Sequence, residues 1–511
     1  MTMDKTVLRD KIYGGWFGKC LGGAVGMPYE GVPYTVNMTE DSIHLSDVPN
    51  DDLELQLVWL ETLRTHGISL RCADLGEIWK KRIPCGCDEY SIALYNLAHG
   101  IIPPASGWKN NFFADGMGAT IRSEIWALIF AGRPDAAGFF ASQDAQVDHW
   151  GDGVRGEVFM AMAEAHVCQY SDTEKALRFA LEKIAPDSRL RKTLDRVFAM
   201  YDSGVGDQEA RNELLLHEQR TANFTDCVMN LAFAVHSLLR GKGDFLKTVL
   251  EAVSFGRDTD CTAATCGAFL GIARGMKAFP EKWRALVKNQ LTLSDFVLAI
   301  PNVPKTLDDL TAQTLELHDR LAAELPADPY PAYVPYEPAP DLPEVWHSEW
   351  LVLDGSQHDT AAIGETLSQT GRVPEELKAK VVSFDTPYMD LSPYGNNVGC
   401  LHLFSFLEVS NGETPRNELV FMAAADVGIR VWMDGVRILN HHSRQKMIPA
   451  FHRTEGGSSF HLPVECGSRH LFHVELFNCT VPVKCCIMFG NTNNDLIDGF
   501  DFRIPTGHGV Q

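Results

Sequence analysis

Long apolar runs are missing from this 511-residue chain, and no stretch of 18 such residues offers a membrane span. The opening residues, Met1-Thr2-Met3-Asp4-Lys5, lead into no apolar core or cleavage-like site, so no secretory leader is expected. Positive charge is also short. Forty-five Lys and Arg stand against 67 Asp and Glu, a net charge of −22. That balance argues against nucleic acid or an anionic membrane as the main partner. Zinc-type cysteine spacing is absent: neither Cys85-Gly-Cys87 nor Cys485-Cys486 has the gaps such sites use. Thirteen scattered cysteines suit free thiols in a reducing cytoplasm, the expected compartment.

What is present is too long for one hydrophobic core. Residues 1–325 carry helical periodicity throughout and predict an all-α domain. Pro326 to Pro343 holds seven prolines in 18 residues, so 326–345 reads as an extended linker. From 346 the period falls to two. Ile429, Val431 and Met433 alternate with Arg430 and Trp432, and Asp434-Gly435 supplies a hairpin turn. About eight short strands are expected over 346–511, forming a jelly-roll-like β-sandwich. This accessory domain would serve for carbohydrate binding, dimer contact or shielding of a site, with His441 and His442 read as surface residues. A homo-oligomer stays open.

Two helices carry stripes of very small residues. Gly14, Gly18, Gly22 and Gly26 recur every four positions in the helix expected from about Val7 to Gly26. Ala263, Gly267, Gly271 and Gly275 do the same after the turn Gly256-Arg257-Asp258-Thr259-Asp260-Cys261. Such stripes let neighbouring helices approach closely. Acids gather at turns beside elements of this kind. Glu30 follows the first stripe, Asp258 and Asp260 precede the second, and Asn50-Asp51-Asp52 opens a helix apolar around its circumference. An isolated Asp-x-Asp is most often a helix cap. Were all five carboxylates to converge, they would need cations to stay ionised. Oxygen donors without paired His or Cys select a hard ion, Mg²⁺, Mn²⁺ or Ca²⁺, and two such ions could hold substrate oxygens together. A metal-free pair of acids acting as proton donor and nucleophile or base is the alternative chemistry. The glycines of Gly116-Met117-Gly118 would let backbone N–H groups approach an anion, and His149 sits in a loop before another helix.

In this order and spacing the set resembles the ADP-ribosylglycohydrolase family, of the dinitrogenase-reductase-activating and ADP-ribosylhydrolase type. The residues that carry the resemblance are Asp10-Lys11-Ile12, Phe17 through Gly26 with Glu30, Asn50-Asp51-Asp52, Gly116 with Arg122, His149, and Gly256 through Asp260 followed by Ala263-Ala264 and Gly267-Ala268. The resemblance implies an all-α fold with a binuclear centre of two Mg²⁺ or Mn²⁺ ions. Asp51, Asp52, Asp258 and Asp260 would be ligands, with Asn50 offering a carbonyl oxygen. Glu30 would be a gate carboxylate or acid/base, and Asp52 would share in catalysis. Gly116, Gly118, Arg122, His149 and Cys261 would face the substrate, an ADP-ribosyl or other glycoside. Three positions depart from the family's usual residues: Asn50 and Cys261 replace Thr or Ser, and Leu53 replaces Thr. A non-catalytic relative that binds ADP-ribose or a sugar is the reading those departures favour.

Overall fold

A computed structural model describes residues 3–505 except 85, 221–222, 336–340, 375–376, 378–379, 396–398, 411–418, 443–445, 454–456 and 480–482. Cys85 and the middle of the expected linker, 336–340, thus lie outside the described residues. The chain forms two compact units, residues 1–84 with 102–339, and residues 85–101 with 340–511. No helix among the described residues is long and apolar enough to cross a membrane.

The first unit is helical and is built around one antiparallel pair. The opening helix, Lys5–Gly26, is capped by Asp4 and lies along Thr259–Arg274. The two small-residue stripes face each other. A Cβ placed on Gly18 would fall 2.1 Å from the Gly267 carbonyl oxygen, and one on Gly22 would fall 2.1 Å from that of Ala263. Only glycine permits backbones this close. The pairing brings the last turn of the first helix to the acidic turn of the second, where the Thr259 hydroxyl donates to the Gly26 carbonyl at 2.9 Å.

Around this pair pack Asp51–His66, Ser123–Ile129, Pro134–Ala145, Asp152–Tyr170 and Cys227–Gly241. Asp51–His66 buries Leu55, Leu57, Val58, Trp59 and Leu60 together with Glu54 and Gln56, as a helix central to the unit must. A helix expected from Pro280 to Lys288 shrinks to Glu281–Arg284. Leu286 just beyond is 48% exposed, so no apolar contact extends the helix through it.

The second unit is the expected sandwich, with eleven strands among the described residues. They are β1 (Ser348–Asp354), β2 (Lys380–Phe384), β3 (Tyr388–Asp390), β4 (Cys400–Val409), β5 (Val420–Ala425) and β6 (Gly428–Met433), then β7 (Val436–His441), β8 (Gly457–His461), β9 (Arg469–Phe477), β10 (Lys484–Gly490) and β11 (Phe500–Arg503). Seven strands in the order β2-β1-β11-β4-β9-β6-β7 face four in the order β3-β10-β5-β8. Leu403, Phe472, Val474, Phe421 and Ile487 meet in the core between them. The Asp434-Gly435 hairpin forms as read, both residues at positive φ.

Two additions were not expected. Helix Thr360–Thr370 lays Ile363 and Leu367 on the outer face of the larger sheet, against Leu351, Leu353, Phe404 and Phe406. Helix Glu89–Ala98 also belongs to this unit. Tyr95 donates to Asp498 at 2.8 Å, His99 Nε2 lies 3.0 Å from the same carboxylate, and Arg453 pairs with Asp88.

Candidate metal centre

The acidic turn before Thr259–Arg274 is held in shape by its own backbone. Gly256 and Arg257 both lie at positive φ, 75° and 72°. A Cβ on Gly256 would come within 2.5 Å of the Val32 and Tyr34 carbonyl oxygens, so only glycine fits this approach. Gly31 N–H donates to the Arg257 carbonyl at 2.8 Å, and Arg257 N–H returns a bond to Val32. This two-bond bridge ties the turn bearing Glu30 to the turn bearing Asp258. Asn230, from the buried helix Cys227–Gly241, accepts the Asp258 N–H at 3.4 Å.

The second acidic turn arrives from the opposite side. Asn50 caps Asp51–His66, its Oδ1 accepting the Asp52 N–H at 2.7 Å, while its amide donates to Asp260 Oδ2 at 3.3 Å. Asn50 therefore couples the two turns, and its carbonyl oxygen is engaged in the helix cap. An amide oxygen has a second lone pair beyond the one this bond uses.

Carboxylates separated by some two hundred residues of sequence thus share one place. In one grouping Asp52, Asp260 and Cys261, and in another Glu30, Asp258 and Asp260, offer ligand-capable atoms within 4.8 Å of one another. Asp260 belongs to both. Asp51 stands close enough for Asp52 and Asp260 to act on it electrostatically.

Crowding shows in the acidities. Burial, reinforced by Asp52 and Asp260, pushes Asp51 up to about 8. Burial and then Asp52 and Glu30 push Asp260 up to about 7. Asp258 is raised well above the carboxylate range by burial and by Asp260 and Glu30, and the Cys261 thiol is raised by burial among the same acids. Its Sγ lies 3.5 Å from Asp52 Oδ1. Asp260 Oδ1 is buried with no hydrogen-bond partner among the described residues. A divalent cation would supply the missing partner and the missing charge, so the donor set fits one.

One cation is built in. Lys19, 1% exposed, sits 3.3 Å from Asp52 and 3.0 Å from Glu124. Burial lowers its affinity for a proton, but the two carboxylates outweigh burial and raise it above the usual lysine range. Gln56 completes the network, donating to Glu124 at 2.8 Å and accepting from the Ile125 N–H at 2.8 Å. Lys19 directly follows Gly18 of the small-residue stripe. The available signal was the single charge between Trp16 and Gly26, the half of the helix otherwise suited to burial.

Of the residues expected to face substrate, Cys261 stands at the acid cluster. Arg122 is fully buried, its guanidinium bonded to Asp144, Asp148 and the Gly118 carbonyl at 2.9–3.0 Å. His149 is fully buried too, with Nδ1 3.0 Å from Asp148 and Nε2 accepting the Ala119 N–H at 3.2 Å. Through Asp148 these two tie the Gly118–Ala119 turn to the loop that follows Pro134–Ala145. Gly116 donates its N–H to Phe113 at 2.7 Å, so that group is not offered to an anion. A cavity of 460 Å³ opens on the Asp52 side, lined by Lys19, Cys20, Asn50, Asp52, Glu54 and Leu291 among others. Its size suits a small molecule. Glu30, Asp258 and Asp260 are not among its walls.

The sequence pattern of the family described as ADP-ribosylglycohydrolase matches residues 4–323. A protein of Archaeoglobus fulgidus, described as uncharacterized, is 27% identical over 232 residues, which is 45% of this chain and 66% of that relative. The chain thus spans just under two thirds of the relative's length. A solved chain described as an ADP-ribosylglycohydrolase-related protein complex aligns over 61% of this chain and 99% of its own, at 18% identity and a TM-score of 0.42. A second, described as an anti-sigma factor domain-containing protein, aligns over 34% and 53% at 15% identity and a TM-score of 0.19.

Proposed function

The chain belongs to the ADP-ribosylglycohydrolase family, and on that premise we propose that its helical unit is a divalent-metal-dependent glycohydrolase. The substrate class is an ADP-ribosyl or related ribosyl or glycosyl compound joined through an N- or O-linkage. The carrying observation is Asp260, a buried carboxylate shared by the Asp52–Cys261 and Glu30–Asp258 groupings and left with an unpartnered oxygen.

Asp51, Asp52, Asp258, Asp260 and Glu30 would hold the ions. Bound there, Mg²⁺ or Mn²⁺ supplies the charge that keeps these acids ionised and a grip on sugar hydroxyls. The protein's own groups would do the rest. Lys19 holds one Asp52 oxygen, fixing an anion where positive charge develops on the sugar as its glycosidic bond breaks. Glu30 is exposed beside Asp258 and Asp260, so it can exchange protons with solvent and act as acid or base toward leaving group and water. The Glu30 turn and the Asp258 turn are bonded to each other, which fixes their separation before substrate arrives.

Purified protein should lose turnover of ADP-ribosyl glycosides when stripped with EDTA and regain it with Mg²⁺ or Mn²⁺. Asp260→Asn should cut kcat/KM by about 100-fold or more and lower bound metal. EDTA-insensitive turnover would point instead to a metal-free carboxylate pair. Tight ADP-ribose binding without turnover under either metal would mark a binding protein, the reading favoured by the thiol of Cys261 at the cluster.

A further inference from the structure

The seven-stranded sheet carries a second group of metal-type donors on its outer face, in the other unit from the acid cluster. Cys400 and His402 are two residues apart on β4 and point to the same side. Glu475 on β9 stands directly opposite His402 in the strand register. One donor atom from each of the three lies within 4.8 Å of the others. We propose that Cys400, His402 and Glu475 form a binding site for a borderline-soft divalent transition ion of the Zn²⁺ class, with a fourth position left for water or an exogenous ligand.

The donor chemistry selects the ion. Sulfur, imidazole nitrogen and carboxylate oxygen together suit zinc and its neighbours, whereas Mg²⁺ takes oxygen. The spacing agrees. Cys400 Sγ lies 3.6 Å from His402 Nε2. A tetrahedral centre with a sulfur bond of about 2.3 Å and a nitrogen bond of about 2.0–2.1 Å separates its donors by about 3.5–3.6 Å.

Around the donors sit the supports that such a site uses. With Nε2 facing the thiol, His402 turns Nδ1 to His473 Nε2 at 2.8 Å. A ligating imidazole commonly donates its other N–H to a neighbour in this way, which fixes the ring and its tautomer. Arg430, on β6, donates to Glu475 at 2.9 Å and fixes the carboxylate from its far side. Gly355 roofs the cluster, since a Cβ there would fall 2.4 Å from Cys400 Sγ. Three protein donors with an open fourth position is the composition of reactive zinc sites, as distinct from closed structural ones.

The test uses full-length protein stripped with a chelator and titrated with Co²⁺, which reports thiolate ligation by a charge-transfer band in the near ultraviolet. One equivalent should produce that band, and excess Mg²⁺ should leave it in place. Cys400→Ser should abolish it, while Cys261→Ser, at the acid cluster, should leave it intact. Glu475→Gln keeps the thiol and should weaken Co²⁺ binding at least about tenfold, which decides the matter if Cys400→Ser fails to fold. No band in the wild type, a band that survives Cys400→Ser, a band lost only with Cys261→Ser, or unchanged Co²⁺ affinity in Glu475→Gln would each overturn the proposal.

Discussion

Asp51 and Asp260 hold their protons up to about 8 and about 7 in the folded chain, against about 3.9 for an aspartate in an unfolded one. Across that interval the folded state binds more protons than the unfolded state, so stability falls as pH rises. Chelator-treated protein should therefore melt at a lower temperature at about pH 8 than at about pH 5, and added Mg²⁺ or Mn²⁺ should reduce the difference. A melting temperature that rises over this range in EDTA would contradict the shifts. Lys19 stabilises the cluster by its charge, which stands against Asp52 and Glu124. Breaking a buried ion group by removing one member costs about 3–5 kcal/mol. Lys19→Met should lower the unfolding free energy in urea by that order, and Lys19→Met with Glu124→Gln should recover part of it. The acids of this cluster were legible from sequence because each sits at a turn beside a helix that must be buried. The burial of Arg122 and His149 around Asp148 was not legible, since sequence position does not show which carboxylate a basic residue will pair with.

Among elements, the pairing of Lys5–Gly26 with Thr259–Arg274 has the clearest sequence signature. Two four-residue repeats of small side chains announced two closely approached helices, though not that each is the other's partner. Gly22→Ala would drive a methyl group into the Ala263 carbonyl, 2.1 Å away. Overpacking of this kind costs about 1–3 kcal/mol or more. It should also separate the acidic turn from Glu30, so divalent-metal affinity should drop together with the unfolding midpoint, checked by calorimetric titration and thermal melting. A variant with lowered stability and unchanged metal affinity would separate the helix pair from the site. Helix Thr360–Thr370 was missed inside a region of period two. Its apolar face amounts to Ile363 and Leu367, too little to outweigh the surrounding strand pattern. The Cys400–His402–Glu475 group was invisible for a related reason. Zinc-finger spacing was the pattern sought, and the period of a strand places alternate residues side by side with a partner 73 positions away.

On the scale of the whole molecule, composition located the change from helices to strands but not the membership of residues 85–101. Helix Glu89–Ala98 lies in the helical stretch of sequence and finds its partners, Asp498 and Arg453, near the other end of the chain. A chain cut after Leu325 leaves this helix without them. It should unfold at a lower temperature than the full-length protein and be cleaved by added protease between residues 85 and 101, detected by mass spectrometry. Resistance of that segment in the shortened chain would show that it folds without the sandwich. Asp88 and Arg453 stand 365 residues apart. At synthesis rates of about 5–20 residues per second, the helix leaves the ribosome about 20–70 s before its counter-ion exists. Over that interval the Asp88–Arg453 and Tyr95–Asp498 pairings cannot form, so this segment takes its final place only after the sandwich sequence has been made.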